Sequence, residues 1–325
     1  MKLPRRKFLH LATGAAALPA LPRIASALDY PTRPVRIIVG FPAGGTGDIV
    51  ARLMGQRLSN RLGQQFIIEN RPGAGSNIAA EAVVRAPPDG YTLLLVSTTT
   101  AYSVTLYENL NFNPIRDIVP VAGLGTGPGV MVVSPSFPAK DVVQFIAYAK
   151  ANPGKISMAT SGAGSGGHVW GELFKMMAGV DMVAVPFRGE PQEITELIAG
   201  RIQVMFDPIV GSLEQIRAGT LRALAVTTAT RYAALPNTPT VAEFVPGYEA
   251  ISWTGIGAPK NTPTEIVEKL NKEINAGLND PAMVARLTDI GNLPMPMTPA
   301  KFGRFIVDET DKWGRVIRAA NIKPE

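Results

Sequence analysis

The stretch from Val35 to Asp48 constrains the fold most. Val35-Arg36-Ile37-Ile38-Val39 is a short β-branched run, and Gly40-Phe41-Pro42-Ala43-Gly44-Gly45-Thr46-Gly47-Asp48 follows it. Such a run bounded by glycine reads as a buried strand. Behind it, Ile49, Val50, Leu53, Met54, Leu58 and Leu62 recur at the spacing of a helix face. A glycine-rich turn therefore joins strand to helix. Gly44, Gly45 and Gly47 accept positive φ and lack Cβ atoms, so backbone N–H groups are expected to turn toward an anion at the positive end of a helix dipole.

The same alternation continues. Gly63 reads as the residue closing the first helix, Phe66-Ile67-Ile68 as a strand, and Asn77 as the cap of a helix carrying Ile78, Ala82 and Val83. A turn at Pro87 to Gly90 leads into a strand over Tyr91 to Val96. Gly123 to Gly129, four glycines in seven residues, suits a crossing between domains ahead of a strand at Val130 to Val133. Strands are then expected at Ile156 to Thr160, Met182 to Pro186, Ile202 to Phe206 and Leu221 to Val226. Helices are expected at Asp141 to Ala149, His168 to Met177, Pro191 to Ile198 and Ser212 to Arg217. This order predicts an α/β fold, with a parallel or mixed sheet covered by helices on both faces. Pro236, Pro239 and Pro246 mark a linker. Thr262-Pro263-Thr264-Glu265 reads as a capping box with proline at the first helical position, and Thr298-Pro299 opens a terminal helix carrying Phe302, Phe305, Ile306, Trp313 and Ile317.

With 325 residues the chain is long enough for two domains, and its 46% hydrophobic and 18% charged content is that of a globular protein. The formal charge of +6 is misleading, because residues 1–27 carry five bases and no acid, leaving 27 bases against 26 acids in the remainder. A nucleic-acid-binding surface is therefore not expected. Those 27 residues read as a targeting segment: a basic start, an apolar stretch from Phe8 to Leu21 too short to span a membrane, and Ala25-Ser26-Ala27 as a small-residue cleavage pattern. Arg5-Arg6-Lys7-Phe8-Leu9 resembles the twin-arginine export signal, the alternatives being an ordinary secretory signal or an uncleaved anchor. The mature protein is expected to begin near Leu28 in the periplasm. It contains no cysteine, so packing alone must hold it there.

Ser97, Thr98, Thr99 and Thr100 end one strand, on the edge where parallel strands gather ligands. They read as ligand contacts or as caps of the next helix. Gly162-Ala163-Gly164-Ser165-Gly166-Gly167 fits G-x-G-x-x-G after a strand and before a helix, with Asp181 near the spacing of a ribose-binding acid. Asp181 precedes its strand rather than ending it, which favours a small-anion turn decorated by Ser161, Ser165 and His168 over a dinucleotide site, and no cofactor is expected. His168 is the only histidine beyond the leader, and Ser165 lies too close along one helix start to form a nucleophile and base with it. Its alternatives are a helix-start residue donating to a carbonyl or a donor to a bound carboxylate. Arg188 and Asp207 both follow strands. Arg188 reads as an anion ligand or a surface ion-pair partner, and Asp207 as a ligand contact or a cap. No metal-binding spacing or phosphate-binding lysine motif is present.

Taken together, these residues resemble the Bug family of periplasmic substrate-binding proteins that serve tripartite tricarboxylate transporters. The resemblance covers essentially all of the mature chain. It is carried by Arg33-Pro34-Val35-Arg36 leading into Phe41 to Asp48, by Glu69-Asn70-Arg71-Pro72-Gly73-Ala74-Gly75, Pro88-Asp89-Gly90-Tyr91-Thr92-Leu93 and Ala151-Asn152-Pro153-Gly154-Lys155. Gly171-Glu172-Leu173-Phe174, Val185-Pro186-Phe187-Arg188-Gly189, Met205-Phe206-Asp207 and Leu221 to Thr227 continue it. The resemblance implies a two-domain Venus-flytrap binding protein of type II-like fold, with 28–125 and 229–325 forming a discontinuous first domain and 126–228 the second. It also implies a small carboxylate held between the domains and presented to permease subunits of the transporter. Carried over, the binding residues are Phe41, Ala43, Gly44, Gly45, Thr46 and Asp48 on the first loop, and Ser97, Thr98 and Thr99 on the hydroxyl cluster. Ser161, Gly162, Ala163, Gly164, Ser165, His168, Arg188 and Asp207 face them.

One position departs from the family. Many relatives have Ser-Ala or a similar small pair after a Lys-Gly or Arg-Gly dipeptide, where this chain has Glu190-Pro191. Glu190 is expected to start a helix facing solvent and complement its dipole; facing the cleft, it would repel a second carboxylate and favour a neutral or amine-bearing tail. The function expected is that of a non-catalytic receptor that closes on its ligand. A receptor signalling through a sensor kinase and a dehydrogenase using Gly162 to Gly167 are the competing readings.

Overall fold

The computed structural model describes residues 29–107 and 109–323, so the targeting segment expected over 1–27 lies outside the described residues. The chain begins β1 (Val35–Val39), α1 (Thr46–Leu62), β2 (Phe66–Asn70), α2 (Asn77–Val84), β3 (Thr92–Ser97), α3 (Thr98–Leu106), α4 (Pro114–Asp117) and β4 (Ile118–Val133). It continues α5 (Val142–Ala151), β5 (Ser157–Thr160), α6 (Gly166–Ala178), β6 (Val183–Pro186), α7 (Glu190–Ile198), β7 (Val204–Pro208), α8 (Ile209–Arg217) and β8 (Arg222–Val226). It ends β9 (Ile251–Pro259), α9 (Thr264–Leu278), α10 (Pro281–Asp289), β10 (Leu293–Pro294) and α11 (Pro299–Ala319).

The strands form a mixed sheet in the order β2-β1-β3-β9-β4-β7-β5-β6, with β8 and β10 also paired to β4. Short β-branched strands joined by helices run parallel at both ends, β2-β1-β3 and β7-β5-β6, while β9 and β4 are antiparallel to their neighbours. β4 holds the sheet together. Its residues Ile118 to Pro128 pair with β9, and Gly129 to Val133 pair with β7. The glycine-rich stretch is thus the middle of one long strand. Gly123, Gly125, Gly127 and Gly129 stand at every second position, with a register shift against β9 between Gly123 and Gly125. A Cβ on them would meet, in turn, Met295 O at 2.7 Å, Asn292 Nδ2 at 2.1 Å, Gly291 O at 2.7 Å and the Trp170 ring at 2.6 Å.

Caps explain several helix ends. Gly63 closes α1 with φ 70°, its N–H donating to Ser59 O at 3.1 Å, as the sequence suggests. Thr298 caps α11 by accepting from Lys301 N, with Pro299 at the first position. Two expected caps are absent. Asn77 is the first residue of α2, and the cap position is Ser76 in the left-handed region. The Thr262 hydroxyl turns back to donate to Pro259 O at 2.7 Å instead of closing a capping box, so α9 starts after Pro263. The segment expected to be a plain linker contains a 3-10 turn at Val241–Glu243 and leads into β9, which the proline punctuation hides.

The core is aromatic. α11 buries Phe302, Ile306, Trp313 and Ile317 at spacings of four, seven and four residues, one face of the helix. Each such side chain contributes roughly 1.5–3 kcal/mol through removal from water. Trp253 and Trp313 both donate an indole N–H to buried Glu309 Oε2 at 3.1 Å, so this carboxylate lies inside the core with partners.

Candidate functional site

Parallel strands followed by helices put several helix N-termini on the same side of the sheet. The starts of α1, α3, α6, α7 and α8 meet around one cavity, lined among the described residues by Phe41, Pro42, Gly45, Thr46, Gly47, Ser97, Thr98, Thr99, Ser161, Ser165, Gly166 and Gly167. Gly189, Glu190, Glu193, Phe206, Asp207, Pro208, Ser252, Trp253 and Thr254 complete the wall. No lysine, arginine or histidine is among these residues. Glycines allow the close approach: a Cβ on Gly167 would lie 2.2 Å from Phe206 O, and one on Gly47 would lie 2.9 Å from Leu95 and 3.0 Å from Phe41. Of the first-loop glycines only Gly44 has positive φ, at 83°; Gly45 is extended and Gly47 sits in the helix. Two of the three are therefore required for close approach, not for backbone conformation.

The hydroxyl side is built by β3 and β9. Ser97 caps α3 in a reciprocal capping box with Thr100, and the Ser97 and Thr99 hydroxyls pair at 2.9 Å. Both readings of this cluster hold in geometry, because the cap residues also line the cavity. Thr254 lies directly across from Ser97 in the β3–β9 ladder. Its side chain is 4% exposed, and its Oγ1 has no hydrogen-bond partner. Sequence reasoning passed over Thr254 because β9 went unrecognised.

The opposite side is acidic. The carboxylate of Glu190, first residue of α7, reaches the start of α1, accepting from Thr46 N at 2.9 Å and Thr46 Oγ1 at 2.8 Å. This corrects the solvent-facing expectation: the side chain faces the cavity and occupies the helix N-terminus read as the ligand's anion site. The reason is steric. Gly211 leaves the space, since a Cβ there would lie 1.5 Å from Glu190 Oε1. One turn along α7, buried Glu193 accepts from the Ser161 hydroxyl. Buried Asp207, at the end of β7, accepts from the Ser212 hydroxyl of α8, whose cap position is Pro208. Burial pushes the Glu190 carboxyl up to about 6 against the two bonds from Thr46. Burial, opposed by the Ser161 hydroxyl, pushes Glu193 up to about 8. Asp207 is raised well above its ordinary value by burial first and the charge of Glu190 second.

Several expected site residues lie elsewhere. Asp48 is buried beneath the first loop, where its carboxylate accepts from Gly44 N, Arg52 and Asn70. Burial opposes its charge, but these bonds outweigh burial and hold the carboxyl below its ordinary value. It is a clamp for the turn. Ala43 and Gly44 are exposed outside the cavity wall. His168 Nδ1 accepts from Gly164 N at 3.1 Å, so these two close the start of α6 instead of facing the cavity. Gly162, Ala163 and Arg188 line an adjoining groove with Ala74, Ser76 and Tyr107. Phe41, Gly45, Thr46, Ser97, Thr98, Thr99, Ser161, Ser165 and Asp207 come together at the cavity. Among the described residues, no group of three or more His, Cys, Asp or Glu is placed to hold a metal ion.

Residues 50–322 match the sequence profile of the tripartite tricarboxylate transporter family receptor. Among solved structures, Rpa4515 of R. palustris with adipate is similar, with a TM-score of 0.89 and 39% identity over 91% of this chain and 100% of that one. The periplasmic binding protein BugD has a TM-score of 0.87 and 31% identity over 91% of this chain and 100% of its own. MatC (Rpa3494) from Rhodopseudomonas palustris with bound malate has a TM-score of 0.84 and 33% identity, covering 89% and 100%. The fold is the two-domain α/β fold of periplasmic binding proteins, as the family resemblance implies.

Proposed function

The chain belongs to the tripartite tricarboxylate transporter receptor family, and from this premise we propose that it captures a small organic carboxylate in the cavity at the helix starts. It then delivers the acid, without chemical change, to the permease of that transporter. Two of the solved relatives are described with adipate and with bound malate, which supports a carboxylate as ligand. The observation that carries the reading is the wall at the starts of α3 and α6, where hydroxyls of Ser97 and Thr99 and the unpartnered Thr254 Oγ1 lie together. Oriented donors of this kind suit a carboxylate.

The proposed capture is hinge closure. Segments 28–125 and 229–325 form one half and 126–228 the other, with β4 running from one to the other. A ligand bound by the Ser97 to Thr99 side gains its remaining partners only when the Ser161 to Ser165 side meets it, so binding stabilises the closed form. Export by the twin-arginine route belongs to the same proposal and rests on the arginine pair Arg5-Arg6. A thermal-shift screen of the mature protein tests the reading. A ligand at a thousandfold excess over Kd stabilises by about 4 kcal/mol, enough to raise the melting temperature visibly. A set of small carboxylates is expected to include at least one such ligand, and no shift with any of them, while NAD gives one, would overturn the proposal.

A further inference from the structure

The Glu190 carboxylate occupies the anion position at the start of α1, where it accepts two hydrogen bonds from Thr46. It is not alone. A Cβ on Gly211 would lie 1.5 Å from Glu190 Oε1 and 3.0 Å from Asp207 Oδ2, so these two oxygens can be no farther apart than the sum of those distances. Glu193 stands one turn along the same helix. The cavity wall therefore supplies three carboxyl groups and no basic side chain. Across from them, the buried Thr254 Oγ1 is left without a partner beside the Ser97 and Thr99 hydroxyls. A buried hydroxyl left without a partner is costly, and a ligand acceptor relieves it.

Resting on the carboxylate reading above, we propose that the ligand is a small carboxylate that also carries an ammonium group, with its carboxylate on the Thr254 side and its ammonium on Glu190 and Asp207. The acid trio is not placed to hold a metal ion, whereas an ammonium brings three donors that separate carboxyl oxygens can share. A second carboxylate at that end would stand beside Glu190 in a buried site, where like charges repel strongly. Glu190 also neutralises the helix start that a second carboxylate would need.

Calorimetry at pH 7 on straight-chain ω-amino acids and dicarboxylates of matched chain length tests this. The amine-bearing member of a pair is expected to bind at least about tenfold more tightly, and Glu190→Gln, which keeps an acceptor for Thr46 N–H, is expected to abolish or reverse that preference. Asp207→Asn serves the same purpose should the first variant fail to fold. Tighter binding of the dicarboxylates to wild type, or a preference unchanged in both variants, would overturn this inference and leave the carboxylate receptor standing. No heat from either series, nor from any acid in the thermal-shift screen, would instead remove the carboxylate reading itself.

Discussion

Glu193 shows at the scale of a residue what the cavity demands. Its carboxyl is buried, bonded to the Ser161 hydroxyl, and raised from an ordinary value of 4.5 to about 8. Between those values the folded protein holds a proton that the unfolded chain has released, so stability present at low pH is lost as pH rises through that window. The melting temperature of the ligand-free protein is therefore expected to fall from about pH 5 to about pH 8, and less steeply in Glu193→Gln. Parallel melting curves for the two proteins over that range would contradict this. Little of it was legible in the sequence. Glu190 and Glu193 look like the acidic first turn of a surface helix, a pattern that complements a helix dipole. Glu190 has room to point inward because Gly211 of α8 carries no side chain. Asp48 erred the other way: it belongs to the glycine loop in sequence, but Arg52 one turn later and Asn70 at the end of β2 draw its carboxylate under that loop.

Among the elements, β4 shows how glycine can serve a strand. Gly129 stands where β4 takes up β7, and a Cβ there would meet the Trp170 ring at 2.6 Å and Thr227 Oγ1 at 2.8 Å. The Thr227 hydroxyl accepts from Gly129 N at 2.7 Å and donates to Ala250 O at 2.7 Å, so it has little freedom to move aside. Gly129→Ala is expected to destabilise the fold by about 1–3 kcal/mol, read as a lower urea midpoint at unchanged slope. An unchanged midpoint would contradict the packing described. The strands and helices of the parallel portions were legible because hydrophobic periodicity and glycine punctuation agree there. β9 was not, because prolines precede it and Gly255 and Gly257 interrupt its apolar run. Those two glycines are needed because Cβ atoms would strike Phe302 at 2.1 Å and Ile118 at 2.4 Å. Nor could the sequence show that Thr262 donates backward to Pro259 O, since a capping box and this turn require the same residues.

For the whole molecule, the alternating order of elements was sufficient to predict the α/β class, and the motif order to predict the family and, through it, the two-domain binding-protein fold. Both are properties of long stretches, which tolerate errors at any one residue. The ligand is different, because it is selected by a few atoms brought together from β3, β9, α1, α7 and β7, and no window of sequence contains them. The claim that joins these scales is that a small carboxylate sits where the helix starts converge. A crystal structure of the protein with the carboxylate that stabilises it best tests that claim most directly. The acid is expected inside this cavity, with a carboxylate oxygen at hydrogen-bond distance from Thr254 Oγ1 and from the Ser97 or Thr99 hydroxyl. Finding it bound elsewhere on the protein, or the cavity holding only water at saturating acid, would contradict the account.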